Sequence, residues 1–245
     1  MNETIYDKHR RFYLDFVDRL LADESSLWHL LLARIEAILG GRLDGARVCD
    51  IACGEGYLSR FLAERGAREV VGVDISAALI EAANQRNRLD NLSYHMDNAH
   101  HLSTLPDNGF DIAVSQMAMM DIPDYQAMFR AVHRVLKPGG VFLFTLLHPC
   151  FEGPYLLPGE EPFLEDSEGN MTACVVRWYG REGFWQSGGD GVRGHMGAYH
   201  RTVSTYINDL ISAGFRLEKL EEPLMEGGGL MAQVPKALVV VGTAE

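Results

Sequence analysis

Apolar positions change their period along the chain. In the first forty residues they recur at helical spacing. Ile5, Phe12, Phe16, Leu20 and Leu21 fall mainly on one face, with Tyr6, Tyr13 and Val17 nearby. Leu27, Leu30, Leu31, Ile35, Ile38 and Leu39 fall on another, and Gly40-Gly41 stops the run. The pattern predicts two helices. From Val48 onward, short apolar runs alternate with amphipathic stretches. Val48-Cys49 leads into Asp50, Leu58, Phe61 and Leu62 mark a helix, and Val70, Val71 and Val73 form a buried strand ending at Asp74. Ser76 can cap a helix to about residue 89, with Leu79, Ile80 and Ala83 inside. Strands follow over 92–97 and 109–115, then a helix burying Met128, Phe129, Val132, Val135 and Leu136, then a strand over 141–147. Strands alternating with helices predict an α/β fold around a parallel sheet.

Beyond residue 147 this rhythm breaks. Gly, Pro and acidic residues crowd Glu152-Gly153-Pro154, 158–162 and 188–191, with strand-like pieces such as 173–179 between them. An irregular insertion this long is usually functional. The rhythm returns with a helix opened by residues 199–204, carrying Ile207, Leu210 and Ile211 and stopping at Gly214. Two final strands are expected over 215–220 and 237–241.

The 245 residues support one domain, with 47% hydrophobic and 23% charged residues as in a folded soluble protein. A net charge of −12 argues against nucleic acid or an anionic membrane as partner, because both would repel it. The four cysteines, Cys49, Cys53, Cys150 and Cys174, form no C-x-x-C pair, so reduced thiols in a cytoplasmic protein are expected rather than zinc or dithiol chemistry. No apolar run reaches the roughly 18 residues of a membrane span.

The chemistry concentrates between Val48 and Asp74. Ala52-Cys53-Gly54-Glu55-Gly56 is a turn of mostly small residues between strand and helix, which lets a ligand approach the backbone. An acidic residue ending the second strand can accept hydrogen bonds from a ribose diol. Strand, turn, helix and acid together point to nucleotide-type binding. The two-residue spacing of Ala52, Gly54 and Gly56 departs from G-x-G-x-x-G. With Asp50 two residues ahead, it resembles motif I of the class I S-adenosylmethionine-dependent methyltransferases, with Ala52 in place of the first glycine. Asp97-Asn98-Ala99, Phe110-Asp111 and Leu136-Lys137-Pro138-Gly139-Gly140 follow in that family's order.

The resemblance covers residues 46–147 closely and 200–242 more loosely. It implies a Rossmann-like, seven-stranded, mostly parallel sheet whose last strand is antiparallel. It also implies an N-terminal helical lid over 1–44, a cofactor-binding core over 45–147, an acceptor-site cap over 148–201 and a C-terminal helix and hairpin over 202–245. The cofactor residues it implies are Asp50, Ala52, Cys53, Gly54, Gly56, Asp74, Ile75, Asp97, Asn98, Ala99, Ser115 and Gln116. Ile75 would pack on adenine, Asp97 would accept from the adenine amino group, and Asp74 would hold the ribose. For Asp97 the other reading is a cap on the following segment.

The implied reaction is in-line methyl transfer from S-adenosylmethionine, leaving S-adenosylhomocysteine, to a small-molecule acceptor at N or O, in secondary metabolism. Candidate catalytic residues are His148, His200 and Tyr13. His148 is alternatively a loop cap, and His100, His101 and His133 read as surface or helix residues. Candidate acceptor contacts are Tyr6, Met117, Met120, Trp178 and Tyr199; Tyr6 and Tyr13 could equally belong to the core. No metal is expected, and a homo-oligomer stays open. RNA methylation and a non-catalytic cofactor-binding regulator are the alternative functions.

Overall fold

The structure is a computed structural model describing residues 3–152, 163–227 and 232–245. Part of the expected cap, 153–162, lies outside the described residues. Three helices open the chain, α1 (Ile5–Lys8), α2 (Arg10–Ala22) and α3 (Leu27–Leu39). The first predicted helix is therefore two, broken at His9. Asp7 explains the break. Its carboxylate closes a capping box with Thr4, then leaves α1 to accept from the Ser76 hydroxyl (2.6 Å) and the Ala78 amide (3.0 Å). Burial alone would raise this carboxyl, but those hydrogen bonds outweigh it and hold it at about 2.

The core alternates as read: β1 (Arg47–Ile51), α4 (Tyr57–Ala63), β2 (Glu69–Asp74), α5 (Ala77–Arg86), β3 (Leu92–Met96), β4 (Phe110–Gln116), α6 (Tyr125–Val135) and β5 (Leu136–Leu147). Ser76 caps α5 by accepting from the Leu79 amide, and Asp124 caps α6 through Ala127. The Lys137–Gly140 stretch lies ahead of the strand expected over 141–147. In the structure Leu136 already pairs with Phe110, and the stretch lies within β5 as an irregularity, with Gly139 at φ +78°. The insertion contains β6 (Phe163–Glu165) paired with β7 (Met171–Cys174), then β8 (Gly183–Trp185), α7 (Val192–His195) and β9 (Ala198–His200), which pairs with β8. Residues 175–179, expected as strand, are irregular, and Trp178 sits in a turn at φ +49°. Thr202 caps α8 (Val203–Ser212), and β10 (Phe215–Glu221) and β11 (Ala237–Ala244) end the chain.

The main sheet runs β10-β11-β5-β4-β1-β2-β3. β1 to β5 are mutually parallel, and β11 is antiparallel to both its neighbours. Alternation fills both faces. Phe142, Phe144, Leu238 and Val240 pack with Phe129, Tyr206 and Phe215 on one side. Val141, Leu143, Val239 and Val241 pack with Leu31, Ile35, Leu58 and Leu62 on the other. The order steps outward from β1 to β2 and β3, then returns to β4 on the other side of β1. That reversal opens a crevice at the carboxyl ends of the strands, where open α/β sheets bind ligands. Among the described residues no helix is long and apolar enough to cross a membrane.

Candidate active site

The loop after β1 is bent into left-handed conformations, with Ala52 at φ +55°, Gly54 at +57° and Gly56 at +83°. Glycine takes these at no steric cost; an alanine there is strained by about 1–2 kcal/mol. Two contacts fix the bend. The Asp74 carboxylate accepts from the Gly54 amide with one oxygen (2.9 Å) and from the Ser76 amide with the other (2.8 Å). The Tyr94 hydroxyl donates to the Gly56 carbonyl at 3.0 Å, so close that a Cβ on Gly56 would lie 2.1 Å from that hydroxyl. Tyr94 also lies against Gly72, whose Cβ would meet its ring at 2.6 Å. Two glycines are thus required by one aromatic ring.

A cavity of about 290 Å³ opens above this loop at the strand ends. Its floor is Ala52, Gly54, Asp74 and Ile75. Asp97, Asn98, Ala99 and His100 close the β3 end, and Gln116, Met117, Ala118, Asp121, Ile122 and Pro123 close the β4 end. Thr4, Ile5, Tyr6 and Tyr13 of the N-terminal helices wall it from outside. Tyr6 and Tyr13 meet edge to face at 5.0 Å.

The electrostatics of this wall are unusual. Asp74, Asp97 and Asp121 all line the cavity; Asp74 and Asp97 are buried and Asp121 is partly buried. Burial pushes the Asp74 carboxyl up, although the amides of Ser76 and Gly54 pull it back. Asp97 accepts from the Thr104 amide and hydroxyl, both at 2.7 Å, and from its neighbour Asn98. It is therefore a cap on the following segment and a cavity wall at once. Asp121 is ion-paired with Arg193 of α7; burial raises its carboxyl, and Arg193 and the nearby Tyr6 hydroxyl counter this. Burial and nearby carboxylates push the Tyr13 hydroxyl far up, with Asp74 and Asp121 the leading neighbours. The Tyr6 hydroxyl rises for the same reasons. Both phenols are thereby held in the protonated form, which can donate a hydrogen bond. Burial lowers His100, favouring its neutral form.

Residues 49–144 match a family described as a methyltransferase domain. A solved S-adenosylmethionine-dependent methyltransferase from Mesorhizobium loti superposes with a TM-score of 0.73 at 29% identity, covering 86% of this chain and 96% of that one. The chain carries a methyltransferase domain on the class I S-adenosylmethionine-dependent methyltransferase fold. A Haemophilus influenzae protein of unassigned function is 28% identical over 232 residues, 91% of this methyltransferase and 87% of the relative. A ubiquinone biosynthesis O-methyltransferase from Neisseria meningitidis is 31% identical over 109 residues, 43% of this chain. That match spans 46% of the Neisseria protein, less than half its length.

The residues present suit the methyltransferase cofactor. Both side-chain polar atoms of Gln116 and the Ser115 hydroxyl are buried without a hydrogen-bond partner, and Gln116 faces the cavity. Buried amides left unpaired are costly, so Gln116 is prepared for a polar ligand. The left-handed loop brings bare backbone to the floor.

Several expected site residues of the methyltransferase lie elsewhere. Asp50, Cys53, Gly56 and Ser115 do not line the cavity; they shape its floor from below. Asp50 is buried and accepts from the Ser59 hydroxyl at 2.6 Å. His148 is remote from the cavity. Its Nδ1 accepts from the Cys150 amide (3.1 Å), so Nε2 carries the proton toward Glu222 (2.8 Å), which makes it a loop cap. His200 Nε2 meets the Tyr179 carbonyl at 2.8 Å, which casts it as donor there. His200, Tyr199 and Met120 line a separate, much smaller cavity with Arg201 and Tyr206. Trp178 is half exposed on the insertion. The insertion reaches the main cavity through Arg193 rather than through aromatic rings. Asp121, His100, Thr4 and Ile5 are among the lining residues the sequence reading passed over. Among the described residues, no group of three or more His, Cys, Asp or Glu side chains is placed to hold a metal ion.

Proposed function

We propose that this methyltransferase acts on a small-molecule acceptor, at oxygen or nitrogen. The observation that carries this reading is the cavity itself. It is walled on its outer side by α1 and α2, sized for a small ligand, and bordered by carboxylates rather than by a basic face. A protein of net charge −12 has no evident purchase on an RNA backbone. The name of the Neisseria relative supports oxygen as one acceptor atom.

In this reading Asp97, Asn98, Ala99 and Ile75 hold the adenine and Asp74 the ribose, and Ala52 and Gly54 lie along the rest of the cofactor. Bound S-adenosylmethionine supplies a methyl group activated on a sulfonium centre. The chain supplies alignment and exclusion of water. Asp74 already holds the loop through Gly54, so ribose binding and loop shape depend on one carboxylate. Gln116 offers one donor and one acceptor at the β4 end. Tyr6 and Tyr13, both kept protonated, donate from the lid, and Met117, Ile122 and Pro123 keep the acceptor side dry. The division into lid, core and cap fits these roles. The cap contributes by holding Asp121 through Arg193.

The test is transfer of isotopically labelled methyl from S-adenosylmethionine to extracts separated into small-molecule and RNA fractions. Label in small molecules supports the reading. Label confined to RNA would overturn it.

A further inference from the structure

Asp121 has no role in the assignments above, yet it is the most elaborately held group in the cavity. Arg193 reaches it from α7 and also donates to the Gly197 carbonyl at 2.8 Å, which fixes the guanidinium. The Tyr6 ring of the lid lines the same cavity, close enough for its hydroxyl to lower this carboxyl. The backbone on both sides of it is pinned by Arg201, a buried cation that donates to the carbonyls of Met119, Ile122 and Pro123 and packs 4.1 Å over the Tyr125 ring. Two arginines thus fix the position of one carboxylate in a cavity wall. An ionised carboxylate has about four acceptor sites, so the Arg193 bonds leave acceptor capacity unused.

Its place along the cavity follows from the sheet. β3, β2, β1 and β4 are successive neighbours, so the tips carrying Asp97, Asp74, Gly54 and Gln116 are spread over three strand spacings, about 14 Å. A long ligand with its base at Asp97 and its sugar at Asp74 carries its far end to Gln116 and Asp121. The carboxylates lining that end are Asp121, paired with Arg193, and Asp74, which has no cationic partner among the described residues; Glu55 lies behind the loop, paired with Arg60 and Arg86.

We propose that Asp121 is a recognition site for a cationic centre at the transfer end of the cavity, where a sulfonium or an ammonium is favoured over a neutral group. The inference rests on reading the cavity as the S-adenosylmethionine site, and it assigns to that site a carboxylate that selects charge. Arg193 and Tyr6 are positioning residues that hold the carboxylate oriented.

The probes are S-adenosylhomocysteine, neutral at the sulfur, and sinefungin, which carries a protonated amine where the methyl group would be. Both are titrated calorimetrically into the full chain, with no acceptor and no turnover. The wild type is expected to bind sinefungin about tenfold or more tightly than S-adenosylhomocysteine, the size of one charge-assisted hydrogen bond. Asp121→Asn is expected to bring the two affinities within about threefold, mainly by weakening sinefungin. Tyr6→Phe, which keeps the charge, should retain most of the preference. Should Asp121→Asn melt early because Arg193 is left unpaired, Asp121→Asn/Arg193→Gln serves in its place, with the same expectation. An undiminished preference in the folded Asn variant, or none in the wild type, overturns the proposal. A purely structural role would weaken both ligands equally and also overturns it. Failure of the wild type to bind either ligand would instead overturn the cofactor reading.

Discussion

Asp50 gives the sharpest test of how the binding loop is built. Its carboxyl is buried near the end of β1, accepts from the Ser59 hydroxyl, and has Asp74 and Glu55 near it. Burial is the largest influence; the Ser59 bond opposes it, Asp74 and Glu55 add to it, and the carboxyl is pushed from 3.8 up to about 7. The folded state therefore holds a proton that the unfolded chain releases near pH 4. Between those two values the native state binds more protons than the unfolded state, so raising the pH lowers stability. The contribution is fully present below the unfolded pKa and is lost as pH rises through the folded one. Across about three pH units the loss amounts to about 4 kcal/mol. For a chain of this size that is on the order of 10 °C in melting temperature.

Asp50→Asn mimics the protonated acid and can still accept from Ser59, so it should escape the loss. The assay is thermal unfolding of both proteins from pH 5 to pH 9. The difference, Asn variant minus wild type, should grow with pH and level off above about pH 8. Groups common to both proteins cancel in that difference. A difference that stays constant, or shrinks, across the range would refute a neutral Asp50.

Other predictions follow from single contacts. Gly56→Ala drives a Cβ into the Tyr94 hydroxyl and strains a left-handed residue, so it should cost about 3–5 kcal/mol, read as a lowered urea midpoint. Ala52→Gly removes strain at φ +55° and should raise stability by up to about 1 kcal/mol, since the added chain entropy offsets part of the relief. Asp74→Ala frees the Gly54 and Ser76 amides and should weaken S-adenosylhomocysteine at least about tenfold by calorimetry; unchanged affinity would clear Asp74 of the ribose role. His148→Ala and His200→Ala, both outside the cavity, should leave that affinity within about twofold while lowering the melting temperature, because each breaks a buried hydrogen bond.

The fold was legible because its signals are local and repeated. Buried strands such as Val70–Val73 and Val141–Leu147 read as apolar runs, and Ser76 and Gly214 punctuated the helices where expected. The β3, β2 and β1 tips were legible for the same reason: a strand end is a position in the sequence, and Asp74, Ile75, Asp97, Asn98 and Ala99 do share the cavity. The β4 side was harder. Asp121 lies past the strand in a short 3₁₀ turn, and its partner Arg193 is 72 positions away, so nothing local marks it as part of the cavity wall. The histidines misled for the converse reason. His148 does follow a strand end, but β5 lies beyond β4, outside the reversal point, and its loop packs toward Glu222. Gly56 was read as part of a turn with room for a ligand, yet the room beside it is taken by the Tyr94 hydroxyl, whose ring also fills the space at Gly72.

The central claim is that one ligand lies across four neighbouring strand tips, with Asp97 at its base, Asp74 at its sugar and Gln116 at its far end. A crystal structure of the S-adenosylhomocysteine complex tests this directly. The account predicts purine density against Ile75 and Asp97, the sugar hydroxyls within hydrogen-bond distance of the Asp74 carboxylate, and the sulfur near Gln116. A ligand bound away from Asp74, or in this cavity with its purine at the β4 end, would contradict it.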